Sequence, residues 1–86
     1  GAGFIPDLTG YENIFFNGIM LGMTRREIEF ELDTIIEFSE LRKHIDAPVR
    51  NYSSGMVVRL GFAIAAHVHA DIMFVDEALS VGDFDF

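Results

Sequence analysis

The run from Asn51 to Asp83, "NYSSGMVVRLGFAIAAHVHADIMFVDEALSVGD", restricts this chain more than any other feature. At helical spacing, Val57, Leu60, Gly61, Ile64, Ala65 and Val68 make one apolar stripe, and Val58, Phe62 and Ala66 make a second. A helix that is apolar on two sides is normally buried on two sides. An 86-residue chain has room for one small domain with a modest core and has few elements to spare for that purpose. Half of its residues are hydrophobic, nine of them Phe, a share suited to a larger protein. Some of its surfaces are therefore expected to meet further chain.

Two earlier helices are announced by capping boxes, a hydroxyl followed three residues on by a carboxylate. Thr9-Gly10-Tyr11-Glu12 opens a helix to about Leu21, with Tyr11, Ile14, Phe15, Gly18 and Leu21 on its apolar side and Gly22 as its stop. Thr24-Arg25-Arg26-Glu27 opens a second, to about Ser39. Its inner stripe is Ile28, Leu32, Ile35 and Ile36, with Glu29, Asp33, Glu37 and Glu40 facing outward. A turn of helix fits Leu41 to His44. Asp46-Ala47-Pro48 then breaks the path, because Pro disfavours helix at the residue before it. Ser53 or Ser54 caps the third helix. Ile72-Met73-Phe74-Val75 reads as a short strand buried on both faces, with Asp76 and Glu77 at its carboxyl end, where open α/β sheets bind ligands.

Composition excludes several functions. The net charge is −8 and Lys43 is the sole lysine, so no basic patch is available for nucleic acid. There is no Cys, hence no disulfide framework or thiolate chemistry, which fits a reducing compartment. No basic segment followed by an apolar stretch opens the chain, so a secretory leader is not expected. No apolar run approaches the ~18 residues of a membrane span. His67-Val68-His69 is a poor metal pair, because residues two apart on a helix point in different directions; helix-end or solvated histidines are expected. Arg25-Arg26 reads as a solvated first turn. Met20, Met23, Met56 and Met73 read as packing residues.

Two short motifs carry chemistry. Ser53-Ser54-Gly55 at a helix start offers unpaired N–H groups and a positive dipole end to an anion, with small residues that let phosphate oxygens approach. Taken alone, the tripeptide is an ordinary N-cap. An apolar strand ending in Asp76-Glu77 can hold Mg²⁺ on the Asp and polarise water with the Glu. Taken alone, that dipeptide is an acidic turn.

Their order and spacing change the weighing. The chain resembles the ATP-binding subunits of ABC transporters. Tyr52-Ser53-Ser54-Gly55-Met56 aligns with the family's signature, usually Leu-Ser-Gly-Gly-Gln. Ile72 to Asp76 aligns with Walker B, Glu77 with the catalytic glutamate, and Ser80-Val81-Gly82-Asp83 with the D-loop, usually Ser-Ala-Leu-Asp. "FIPDLTGYEN", Phe4 to Asn13, resembles the segment that follows the Q-loop. "LTGYEN", "APVRNYSSGM" and "VDEALSVGD" look like the exporters of cell-surface polysaccharide, the O-antigen and teichoic-acid transporters among them.

Three departures stand out. Ser54 adds a hydroxyl at the first signature Gly, Met56 removes an amide, and Gly82 loosens the D-loop.

The resemblance implies a mostly α fold: the helical subdomain of an ABC ATPase over residues 1–70, then a Walker B strand and D-loop over 71–86. The parent domain would be an α/β P-loop NTPase. It implies that two such subunits sandwich ATP. Ser53, Ser54 and Gly55 would contact the nucleotide held by the partner, Asp76 would bind Mg²⁺, Glu77 would orient the attacking water, and Asp83 would communicate across the dimer. The stretch from Thr9 to Asn51 would transmit closure to a transmembrane permease, on the cytoplasmic face of the plasma membrane. No G-x-x-x-x-G-K-[ST] occurs, since Lys43 is flanked by Arg42 and His44. The P-loop and Q-loop Gln would precede this stretch and the switch His would follow it, so the stretch alone is not expected to hydrolyse ATP. A rival expectation is a non-catalytic helical module that self-associates through its apolar faces. A DNA-repair ATPase of the same superfamily fits less well, because it would carry a long heptad insertion.

Overall fold

The computed structural model describes residues 3–68. Within them, α1 spans Gly10–Met20, α2 spans Arg25–Ser39, and α3 occupies residues 54–68. Two single turns of 3-10 helix, Arg42–His44 and Val49–Asn51, lie between α2 and α3. The described part is mostly helical, as the sequence indicates, and holds no sheet beyond one antiparallel bridge, Thr9 to Pro48. The expected strand at Ile72–Val75 lies outside the described residues.

Both capping boxes are present. Thr9 Oγ1 accepts from the Glu12 N–H at 3.0 Å, and Glu12 Oε1 accepts from the Thr9 N–H at 2.9 Å. Thr24 and Glu27 repeat the exchange at 3.1 and 2.7 Å. The end of α1 is a Schellman turn. The Met23 N–H reaches back to the Gly18 carbonyl at 2.9 Å and the Gly22 N–H to Ile19 at 3.0 Å. Gly22 takes a φ of 104°, which only glycine adopts freely. The end of α2 is less orthodox. Glu40 sits in the left-handed region at φ 61°, held there as the Ser39 hydroxyl donates to Ile36 O at 2.7 Å and accepts from the Leu41 N–H at 3.2 Å.

One core joins the pieces. Ile14 of α1, Ile28, Ile35 and Ile36 of α2, Leu41, Ile45 and Val49 of the connection, and Leu60, Ala63, Ile64 and Val68 of α3 are all buried together. α1 and α2 meet at Gly18, where an added Cβ would stand 2.7 Å from Ile28 Cδ1. The sequence stripe on α1 needs correction. Ile14 and Gly18 are buried, but Tyr11 and Leu21 are exposed, because Asn13 takes a core position instead. Met20 is 71% exposed and is no packing residue, whereas Met23 is buried. On α3 the first apolar stripe faces the core. In the second, Val58 and Phe62 are exposed within the described residues, with Phe62 stacked at 5.8 Å on the exposed Phe38 of α2. Of the two readings of His67, solvated or at a helix end, the solvated one does not hold. His67 is half-buried, its Nδ1 bonds the Ala63 carbonyl at 2.7 Å, and its ring meets Phe38 edge-on at 5.4 Å.

Candidate functional site

The start of α3 is built outward from the connection that precedes it. Asp46 to Asn51 lies against the N-terminal loop. The Val49 N–H donates to Leu8 O at 2.9 Å and the Arg50 N–H to Pro6 O at 3.0 Å, while the Arg50 guanidinium pairs with Asp7. The same connection satisfies the first amides of α1, which have no partner inside their own helix. Gly10 N–H donates to Ala47 O at 3.3 Å and Tyr11 N–H to Ile45 O at 3.0 Å. Asn13 completes the join. It is fully buried. Its Oδ1 accepts from the Ile5 N–H at 2.8 Å, and its Nδ2 donates to the carbonyls of Ile5, Leu8 and Thr9 at 3.0 to 3.2 Å.

Ser53 is the N-cap of α3. Its Oγ accepts from the Met56 N–H at 3.1 Å, and its own N–H points at the Met56 thioether at 3.5 Å. This is the capping-box exchange with sulfur, a weak acceptor, in place of an amide or carboxylate oxygen. The N–H groups of Ser54 and Gly55 have no acceptor among the described residues, and both residues are exposed. Gly55 has no left-handed φ, and a Cβ built on it would meet nothing nearer than Ser53 Oγ at 3.9 Å. Nothing among the described residues therefore requires glycine there. What a side chain would obstruct is approach from outside.

The arrangement is a serine-capped helix start with two free N–H groups facing solvent along the dipole of a helix at least four turns long. Chemically, such a helix start favours an anion over a cation in front of it. Among the described residues no His, Asp or Glu hydrogen-bonds to the Ser53 or Ser54 hydroxyl to act on it as a general base. Among the described residues no three His, Asp or Glu gather as metal ligands. The residues of acid–base and metal type, Asp76, Glu77 and Asp83, lie outside the described residues, so the geometry joining them to Ser53 is not part of this description. Among the described residues, no helix is long and apolar enough to cross a membrane.

Sequence reasoning missed two supports of the site. Asn13 could have been noticed as a polar residue between the apolar positions of α1. Tyr52, next to the cap, is half-buried, and its hydroxyl donates to His44 O at 2.7 Å. Burial holds the Tyr52 phenol above its ordinary pKa, and the charge of Asp46 acts in the same direction, while the Gly10 amide opposes them.

A capped helix start with unpaired N–H groups is of a kind that can meet an anion. Comparison with known proteins narrows this. No family model matches. Across its whole length the chain is 60% identical to the O-antigen export system ATP-binding protein RfbB of Myxococcus xanthus, covering 20% of that protein. It is 56% identical to the teichoic acids export ATP-binding protein TagH of Enterococcus faecalis, covering 19%, and 51% identical to the ABC transporter protein AbcA of Aeromonas salmonicida, covering 28%. The chain thus matches, end to end, a segment of the ATP-binding proteins of polysaccharide-export ABC transporters, and the resemblance drawn from its motifs holds. It spans between about a fifth and somewhat over a quarter of the length of these relatives.

Proposed function

We propose that the chain is part of an ATPase subunit that couples ATP binding and hydrolysis to export of a cell-surface polysaccharide. The observation that carries this reading is the start of α3. It is a capped helix end with free N–H groups at Ser54 and Gly55 and space in front of Gly55 that the fold leaves unfilled. High identity with export ATP-binding proteins over the entire chain supports it.

In this mechanism Ser53, Ser54 and Gly55 face the γ-phosphate of ATP held by a second, identical subunit. Backbone N–H groups at a helix start strengthen their hold as negative charge builds on the transferring phosphoryl group. Glu77 would accept a hydrogen bond from the attacking water and orient it, Asp76 would hold Mg²⁺, and Asp83 would communicate across the dimer. Bound Mg²⁺ supplies charge neutralisation at the phosphates. The helical residues 1–70 relay closure to a transmembrane permease at the inner face of the plasma membrane, and residues 71–86 belong to the catalytic core. The exposed Phe38, Val58 and Phe62 are then surfaces that meet the rest of a longer protein. That account of them is favoured over self-association of a separate module, given relatives several times longer than this chain.

The test uses the complete ATP-binding protein that carries this segment. Glu77→Gln abolishes hydrolysis and leaves ATP binding intact. Gly55→Asp, which places a carboxylate in the path of the phosphate, also abolishes hydrolysis. Wild-type turnover in both variants would overturn the assignment.

A further inference from the structure

We infer that Tyr52 is a positioning residue for the Ser53–Gly55 turn, and that the missing side chain of Gly10 is what lets it sit there. This rests on the reading of that turn as phosphate-facing.

Tyr52 directly precedes the cap. Its ring packs on the core and its hydroxyl is fastened to the His44 carbonyl. On the other side stands Gly10, the first residue of α1. A Cβ on Gly10 would run into the Tyr52 hydroxyl, and it would stand 3.2 Å from Tyr52 Cζ and 3.0 Å from Ile45 Cδ1. Gly10 does not have the positive φ seen at Gly3 and Gly22, so backbone freedom is not the reason for glycine. The reason is space for the phenol.

The consequence reaches the candidate site through a very short path. Between Val49 and Ser53 the chain makes one 3-10 turn, closed by the Tyr52 N–H on Val49 O at 2.9 Å. Ser53 Oγ is occupied by the Met56 N–H, so the cap has no side-chain bond to the rest of the fold within the described residues. The axis of α3 is held by Leu60, Ala63, Ile64 and Val68 in the core, and the entry of the chain into its first turn, Ser53 to Gly55, is set by the seat of Tyr52. Hydrogen-bond donors at a reacting phosphoryl group tolerate little displacement: a shift of about 1 Å can cost roughly 100-fold in rate.

The experiment measures kcat and KM for ATP in the complete ATP-binding protein, for Gly10→Ala, Tyr52→Phe and the double variant, with Gly55→Asp as the check on the turn itself. Gly10→Ala lowers kcat about tenfold while KM stays within about twofold, since the displaced groups act on the transferring phosphoryl rather than on ground-state binding. Tyr52→Phe loses about two- to threefold, and the double variant recovers to that level because removal of the hydroxyl vacates the space, a non-additivity that marks contact. A purely structural role would lower melting temperature and yield but leave the kcat of the folded fraction unchanged.

Should Gly10→Ala not fold, Tyr52→Ala, which introduces no clash, lowers kcat beyond Tyr52→Phe at unchanged KM. Wild-type kcat in Gly10→Ala or in Tyr52→Ala, or no recovery in the double variant, overturns the inference while loss of turnover in Gly55→Asp keeps the reading of the turn. Wild-type turnover in Gly55→Asp removes the reading of the turn, and this inference with it.

Discussion

Asn13 shows how much one buried amide can organise. All of its polar capacity is directed at residues 5–9, and it ties Ile5 and Leu8 to α1 where the capping box reaches only Thr9. Asn13→Ala leaves the Ile5 N–H without its partner, at a cost of about 1–3 kcal/mol, while the carbonyls of Ile5, Leu8 and Thr9 keep backbone donors from Leu8, Val49 and Asn13. The expected outcome is faster hydrogen exchange at the Ile5 amide and through the first turn of α1, with α2 unaffected. Unchanged exchange at Ile5 would mean that water replaces the side chain. Neither Asn13 nor Tyr52 was legible in the sequence as a support. Hydrophobic periodicity records only apolar residues, and a half-buried phenol looks the same as a surface one. Ser53 was legible as a cap because capping restricts residue type locally.

Elements were read well where a local rule sufficed. Two capping boxes fixed the starts of α1 and α2, and Gly22 fixed the end of α1, because each satisfies orphan backbone groups within a few residues. The side α1 buries was not fixed by such a rule, since it depends on how closely α2 approaches. That approach runs through Gly18, where Ile28 Cδ1 and Cγ1 would lie 2.7 and 2.9 Å from an added Cβ. Alanine is the better helix former by about 1 kcal/mol. Even so, Gly18→Ala destabilises the α1–α2 pair, because overpacking a tight contact costs about 1–3 kcal/mol. Ile28→Val, which removes the Cδ1 methyl but keeps Cγ1, restores part of the loss when combined with Gly18→Ala. Urea midpoints of the single and double variants measure this, and additive losses would show that Ile28 moves aside without strain.

At the scale of the whole molecule, the distribution of apolar surface separates what this segment holds together by itself from what it leaves for other contacts. The twelve residues of the core form one cluster drawn from all three helices, sufficient to hold them together. Outside that cluster, Phe38, Val58 and Phe62 remain 52 to 65% exposed, with the two Phe rings in contact across α2 and α3. The sequence indicated this surplus through the second stripe of α3, but not which residues of α2 would join it. Phe38 lies on the outward side of the acidic helix, where charge dominates the pattern. Exposed aromatic pairs of this kind are covered in functional assemblies or drive association when left bare. A preparation of the 86-residue chain should therefore show a scattering mass that rises with concentration. Phe62→Ser should reduce that rise without altering far-UV helicity, since the residue is outside the core. Salt should not disperse the associated form, because the net charge of −8 opposes association and screening weakens that opposition. A scattering mass independent of concentration in the unaltered chain would show that these rings are shielded within a single copy and are not a surface kept for contact.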